Sequence, residues 1–402
     1  MEIQPTAIPA KPVKSKRLHS IDLLRGTVMI IMALDHVRDY FHASAFLFDP
    51  TDLSRTDVPL FFTRWITHFC APVFTFLAGT SAFLNGTKKT KKELSFFLFT
   101  RGLWLVIAEV LIVTLGWTFN PQYPVLILQV IWALGVSMMV LSVMIYLPRT
   151  LILIIGLALI AGHNLLDIPP SPGGHSTSFL MAALHEQHIF FMKPISIMMG
   201  YPVTPWIGIM LCGYAFGQLY LPTFDARKRR KTLITLGLGA VALFIIIRFL
   251  NMYGDPHPWL AQKTPVYTLL SFLNTTKYPP SLLYILMTLG PALLFLAFAE
   301  KPLNRLSEKV AVFGRVPMFY YLLHIYLIHV LAVLAAAISG YKWSDMVLTG
   351  WVSMNAQLQG FGYSLAFVYV LWIIIIIGVY PLCKWYDNYK QVNRSKWWLS
   401  YI

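Results

Sequence analysis

The stretch SIDLLRGTVMIIMALDHVRDYFH, residues 20–42, takes an apolar run long enough to enter a bilayer straight into Asp35, His36, Arg38, Asp39 and His42. At about 1.5 Å of rise per residue, Asp35 and His36 lie roughly 21 Å along a helix that starts near Ile21, inside a hydrocarbon core about 30 Å thick. That depth rules out headgroup anchors. Ionisable groups at membrane depth are costly and are read first as a functional site. His36 and Asp39 are three apart on one helical face, so the carboxylate is expected to orient the imidazole, with Arg38 within a turn of Asp35 and His42. This is the wiring of an acid/base histidine; a polar cluster that only pins helices together is the competing reading.

With 57% hydrophobic and 12% charged residues in 402, the chain reads as an integral membrane protein; soluble chains carry about 25% charged residues. Apolar segments long enough to span lie near 21–42, 60–84, 101–119, 124–147, 150–166, 203–221, 232–250, 280–299, 315–338 and 362–382. The expected fold is therefore an all-α polytopic bundle of about ten transmembrane helices. Its parts are an N-terminal tail at 1–18, a transmembrane domain at 19–385 and a C-terminal tail at 386–402. Alternating the loops puts 24 of the 32 Lys and Arg on the side of the N-terminus. Positive-inside bias makes both termini cytoplasmic and puts the Asp35/His36 end outside, in a bacterial inner membrane.

The net charge of +15 is thus mainly topology, and no nucleic-acid partner is expected. The loop runs Lys88, Lys89, Lys91, Lys92 and Arg227–Lys231 are candidates to meet the phosphates of a cytoplasmic donor, although neither has a Gly-rich cradle. Cys70, Cys212 and Cys383 form no disulfide or zinc pattern. Cys70 reads as a small buried hydrophobe before it reads as a nucleophile. His185, Glu186 and His188 lack a third ligand at a recognisable spacing, so no metal is expected. No cleavage pattern follows the polar tail, and the first helix is expected to stay uncleaved.

Three external segments, 43–59, 167–202 and 251–279, are expected to cover the outer mouth; the second ends in HIFFMKPISIMMGYP, with the look of a re-entrant or interfacial piece. Arg64 and His68 enter on the second helix, where Pro72 frees the His68 carbonyl for another partner. Lys277 and Tyr278 precede Pro279–Pro280 at the outer start of a helix, where a cation beside freed amides suits an anionic or carbonyl oxygen. His324 and His329, five apart, point to different faces, so at most one lines a given cavity. Glu109 and Gln129 are expected to bond each other.

SIDLLRG, ten residues and then Asp35–His36, resembles the first helix of the acyltransferase-3 family, with Arg25 and His36 in the places of its Arg and His. Together with RWITHFCAPVFTFLAGTSAF (64–83), PWIGIMLCGYAFG (205–217), TKYPPSLLYILMTLGP (276–291) and FGRVPMFYYLLHIYLIH (313–329), the chain looks like a bacterial relative of heparan-alpha-glucosaminide N-acetyltransferase over most of residues 18–385. The resemblance implies acyl transfer from cytoplasmic acetyl-CoA or another acyl-CoA to an amine or hydroxyl of a sugar or glycan outside. The heparan enzyme places its catalytic histidine further along, where this chain has His42, whereas the acyltransferase-3 spacing selects His36.

The resulting expectation is a membrane acyltransferase with His36 as general base, oriented by Asp39 with Asp35 nearby. Arg25, Arg38, His42, Arg64, His68, Lys277, Tyr278 and His324 are the substrate-side candidates, Lys277 or His68 meeting the oxyanion. Direct transfer and an acyl-His36 intermediate both stay open. A transporter or flippase for a small polar or lipid-linked sugar is the rival, since polar residues at depth and Pro-broken helices also mark transport paths. A homodimer is the oligomer kept in view.

Overall fold

A computed structural model describes residues 19–167, 177–393 and 395–401. The expected N-terminal tail and the PPSPGG run at 169–174 lie outside these. The chain is mainly helical. In order come α1 (His19–Phe41), α2 (Val58–Thr67), α3 (Cys70–Gly86), α4 (Lys91–Ala108), α5 (Thr114–Thr118), α6 (Val130–Met144), α7 (Arg149–Gly162) and α8 (Phe179–Leu184). There follow α9 (Thr204–Phe216), α10 (Ala226–Leu250), α11 (Pro265–Leu273), α12 (Leu282–Phe298), α13 (Arg305–Arg315), α14 (Pro317–Ile338) and α15 (Leu365–Val392). Each of the ten apolar segments is helical in whole or part. Among the described residues, six helical stretches are long and apolar enough to cross a membrane: 58–86, 91–118, 149–166, 226–250, 317–338 and 365–392. Several such stretches make this a multi-pass membrane protein.

The helices meet through glycine. A Cβ on Gly26 would lie 2.0 Å from the Val310 carbonyl oxygen, and one on Gly314 2.0 Å from that of Asp22, so α1 and α13 touch backbone to backbone. Gly79 and Gly213 bring α3 equally close to α9. Small residues at crossings are how helices pack where lipid removes the hydrophobic drive between them.

Two of the expected helices are interrupted, each for a local reason. The segment 60–84 breaks between α2 and α3 because Pro72 cannot bond back to His68, and the freed His68 carbonyl accepts from the Tyr284 hydroxyl at 2.7 Å. The segment 124–147 begins as a strand, β1 (Val125–Leu128), and turns helical only at Val130. Glu109, in a π-turn at 109–113 between α4 and α5, accepts from the Trp132 amide at 2.8 Å and so caps α6. The main chain of Gln129 also hydrogen-bonds this carboxyl, so the expected Glu109–Gln129 contact forms through the backbone.

One small three-stranded sheet interrupts the otherwise helical fold. The segment expected to be re-entrant forms β2 (His188–Phe190) and β3 (Ser196–Met199), with β3 central, parallel to β1 and antiparallel to β2. The 251–279 segment is held by the buried Arg248 guanidinium, which donates to the carbonyls of His257, Ser271, Phe272 and Asn274 at 2.7–3.0 Å. A fourth irregular segment, 339–364, folds over the same end through three short 3₁₀ turns.

Candidate functional site

The second half of α1 lies in the core of the bundle, and His36 Nδ1 sits 2.8 Å from Nε2 of His324 on α14. The other His324 nitrogen, Nδ1, is 2.7 Å from the Tyr320 carbonyl oxygen. A carbonyl only accepts, so His324 Nδ1 carries hydrogen. His324 is fully buried, and no carboxylate meets either of its nitrogens among the described residues, so a second proton would strand a charge in the core. Its Nε2 therefore accepts, and His36 Nδ1 donates. This leaves His36 Nε2 with the free lone pair. The Trp117 ring stands edge-on to the imidazole at 4.9 Å.

Asp39 does not orient His36. Its carboxylate pairs with Arg38 at 2.5 Å, because a guanidinium one residue away binds a carboxylate more strongly than a neutral ring does. Asp35 lies between two arginines, Arg38 at 2.8 Å and Arg64 at 2.6 Å. Arg64, Asp35, Arg38 and Asp39 thus form a continuous ion chain beside the histidine, tying α2 to α1. Cutting one member would leave an uncompensated buried charge.

Two cavities open toward opposite ends of the bundle and meet here. One, of about 280 Å³, runs between α1, α3, α4 and α6 to an end carrying Arg25, Arg101, Arg315 and Lys390. Arg25 is about 16 Å from His36 by helical rise. Its guanidinium donates to Ser81 Oγ at 2.8 Å and to the Gly314 carbonyl at 3.2 Å, while Arg315 pairs with Asp387 at 2.7 Å. The other, about 390 Å³, is lined by Arg38, Asp39, Asp49, Arg64, Trp351 and Tyr278 among others. Asp35, His36, Gln129, Tyr201 and Lys277 line both. His36 therefore stands at a waist reachable from either side.

Other expected site residues lie elsewhere. His42 accepts from the Ser44 amide and sits 2.6 Å from its hydroxyl, capping a 3₁₀ turn away from both cavities. Burial, and Arg38 behind it, lower its pKa against the pull of Asp57. His68 is buried against Tyr284 and lines neither cavity. His329 is tied to the Gly116 and Met346 carbonyls, both at 2.9 Å. Lys277 faces the waist, 5.1 Å from the Tyr278 ring. The Lys88–Lys92 and Arg227–Lys231 runs touch neither cavity. Cys70 lines the first cavity, its Sγ bonding the Val28 carbonyl at 3.2 Å. At the other mouth, partial burial opposes ionisation of Asp49, but Arg64 and two hydrogen bonds from Thr51, at 2.6 and 2.7 Å, outweigh it and lower the pKa. Among the described residues no cluster of three or more His, Cys, Asp or Glu is placed to hold a metal ion.

Residues 17–253 match the family described as heparan-alpha-glucosaminide N-acetyltransferase, catalytic. The chain belongs to this family. No curated protein matches it. The family is one of acetyltransferases, which makes the protein an enzyme by membership. The matched region holds Arg25, the Asp35–Asp39 cluster, Arg64 and Gln129. Lys277, Arg315, His324 and Lys390 come from beyond it and close the same site. Arg315 belongs to the FGRVPMFYYLLHIYLIH stretch, whereas Arg101, inside α4, and Lys390, near the end of α15, carry no motif; all three fall among the basic residues counted on the side of the N-terminus. Trp351 has no such signal.

Proposed function

We propose that the protein moves an acyl group, most simply acetyl, from a cytoplasmic acyl-CoA to an amine or hydroxyl of a sugar or glycan on the far side of a bacterial inner membrane. The observation that carries this reading is His36 at the meeting point of two oppositely opening cavities, with Nε2 as its free lone pair. The ten-segment topology, with both termini in the cytoplasm, puts the cavity end bearing Arg25, Arg101, Arg315 and Lys390 on the donor side. Four cations there suit the donor's phosphates.

His36 Nε2 takes the proton from the acceptor's N–H or O–H as that atom attacks the thioester carbonyl. The carbonyl oxygen gains negative charge, and Lys277, facing the same waist, stabilises it. The C–S bond then breaks, the new amide or ester bond remains, and the imidazolium returns its proton to the CoA sulfur. Arg38, Asp35 and Arg64 hold α1 and α2 in register around the ring, and His324 holds its tautomer. Direct transfer needs no acyl-enzyme and is preferred because both cavities reach the one nitrogen.

The test is release of CoA thiol by the purified protein, given acetyl-CoA with and without an amino sugar, and the mass of the acylated product. A rival is favoured by the same geometry, since a waist between two opposite cavities is also a transport path. If no acyl-CoA turns over with any acceptor while an unmodified sugar crosses proteoliposomes, transport is the function and acyl transfer is not.

A further inference from the structure

A groove of about 300 Å³ adjoins the outer vestibule, between the three-stranded sheet and the 347–357 segment. Met198 and Trp351 line both spaces, so the groove continues the vestibule. An aromatic line leads into it from the catalytic ring: Trp117 is 4.9 Å from His36 and 4.7 Å from Trp351. The two spaces differ sharply in chemistry. The vestibule holds Asp35, Arg38, Asp39, Asp49, Arg64 and Lys277; no ionisable side chain lines the groove. Its lining combines apolar residues, such as Ile189 and Val347, with the polar residues Thr349 and Gln357 and with Trp351.

We propose that this groove is a second acceptor subsite, which takes the uncharged sugar residue next to the one acylated at His36. An indole face against C–H groups, with amide and hydroxyl partners at the rim, is how a neutral ring is gripped. A lipid tail would have no use for Thr349 and Gln357, and a sulfated or carboxylated residue would find no cation. The volume is at the small end for a ligand site, roughly 300–1,000 Å³, which suits one ring. The proposal rests on the acyl-transfer reading above and narrows the acceptor to a glycan of at least two residues.

The test uses the purified full chain with acetyl-CoA and four acceptors: glucosamine, glucosamine linked to a neutral hexose, glucosamine linked to a uronic acid, and octyl glucosaminide. The neutral disaccharide is expected to exceed glucosamine in kcat/KM by about tenfold, the worth of one or two neutral hydrogen bonds, with no gain for the uronate. Gly350→Phe fills the groove with little backbone cost, since a Cβ there meets nothing closer than Met354 Sδ at 3.9 Å. It should abolish the disaccharide advantage and leave the glucosamine rate unchanged; Gln357→Ala should reduce it in part. An advantage that survives Gly350→Phe, or equal rates for glucosamine and disaccharide in the wild type, overturns the subsite while acyl transfer stands. An advantage for octyl glucosaminide alone, lost in Gly350→Phe, makes the groove a lipid site and overturns the sugar assignment. Failure of all four acceptors counts instead against acyl transfer itself.

Discussion

On the side of the chain termini, the passage to His36 is walled by α1, α3, α4 and α6, long helices pinned at glycine contacts. On the opposite side the end of α1 and Arg64 of α2 are joined by loop walls: the 45–50 stretch, Met198 of β3 with Gly200 and Tyr201, Lys277 and Tyr278, and the irregular 351–353 stretch. On the proposed reading the first half admits an extended donor between fixed walls and the second fits an acceptor; loops carried on a rigid scaffold are where such fitting is usually done. The half built of helices should therefore fix rate and donor binding. The half built of loops should fix acceptor choice.

The sharpest way to break this division lies at the waist. His36→Ala should fold and still bind acyl-CoA but lose about 10²–10⁴-fold in turnover, the usual worth of general acid–base assistance. His42→Ala, which removes only a turn cap, should stay near wild type. Loss of transfer in His42→Ala with activity retained in His36→Ala would move the catalytic role into the loop half.

His324 gives the next largest effect. His324→Leu removes the acceptor that keeps the proton on His36 Nδ1, so the ring is free to take the wrong tautomer; kcat should fall on the order of 10²-fold with KM for both substrates little changed. His324→Gln, whose amide oxygen can accept from Nδ1, should recover part of it. Equal losses in the two variants, or a collapse of the folded protein in both, would leave His324 a packing residue. Asp39→Asn should cost less than either, because Asp39 is bonded to Arg38 and not to the ring.

On the donor side, Arg101→Gln and Lys390→Gln should raise KM for acetyl-CoA by about tenfold each with kcat nearly unchanged, the pattern of lost uniform binding to a charged group. The change should shrink for a donor lacking the nucleotide phosphates. A loss of kcat with unchanged KM would mean that these cations do not meet the donor.

The contrast between the halves also marks what was legible in the sequence. Long apolar runs announce themselves by length and hydropathy, so each of the ten segments is helical in whole or part, and Asp35–His36 stands out because charge within such a run is rare. The Pro72 break foretells that the His68 carbonyl takes a partner outside its own helix, though not that this would be the Tyr284 hydroxyl. Partner choice is another matter. Spacing alone offers His36 the carboxylate of Asp39, but which side chain wins depends on the helix across the interface, and His324 is 288 residues away. Likewise, Val125–Leu128 reads as the start of a spanning helix because a short apolar run cannot declare its period; only pairing with β3, some seventy residues on, makes it a strand.

The smallest expected effect concerns charge at the loop mouth. Asp49 has a pKa lowered by Arg64 and by the hydrogen bonds from Thr51. A carboxylate whose folded pKa is depressed contributes stability above its unfolded value, near 3.9, and that contribution is lost as pH falls through the folded value. The contribution is modest, because the side chain is exposed and screened by solvent. Asp49→Asn should therefore lower the melting temperature slightly at pH 7, and the gap to wild type should close below pH 4. Because Asp49 lines the vestibule and not the donor cavity, the same variant should shift KM for the acceptor and leave KM for acetyl-CoA untouched. A change in donor KM alone would show that the two halves of the passage do not divide the substrates between them.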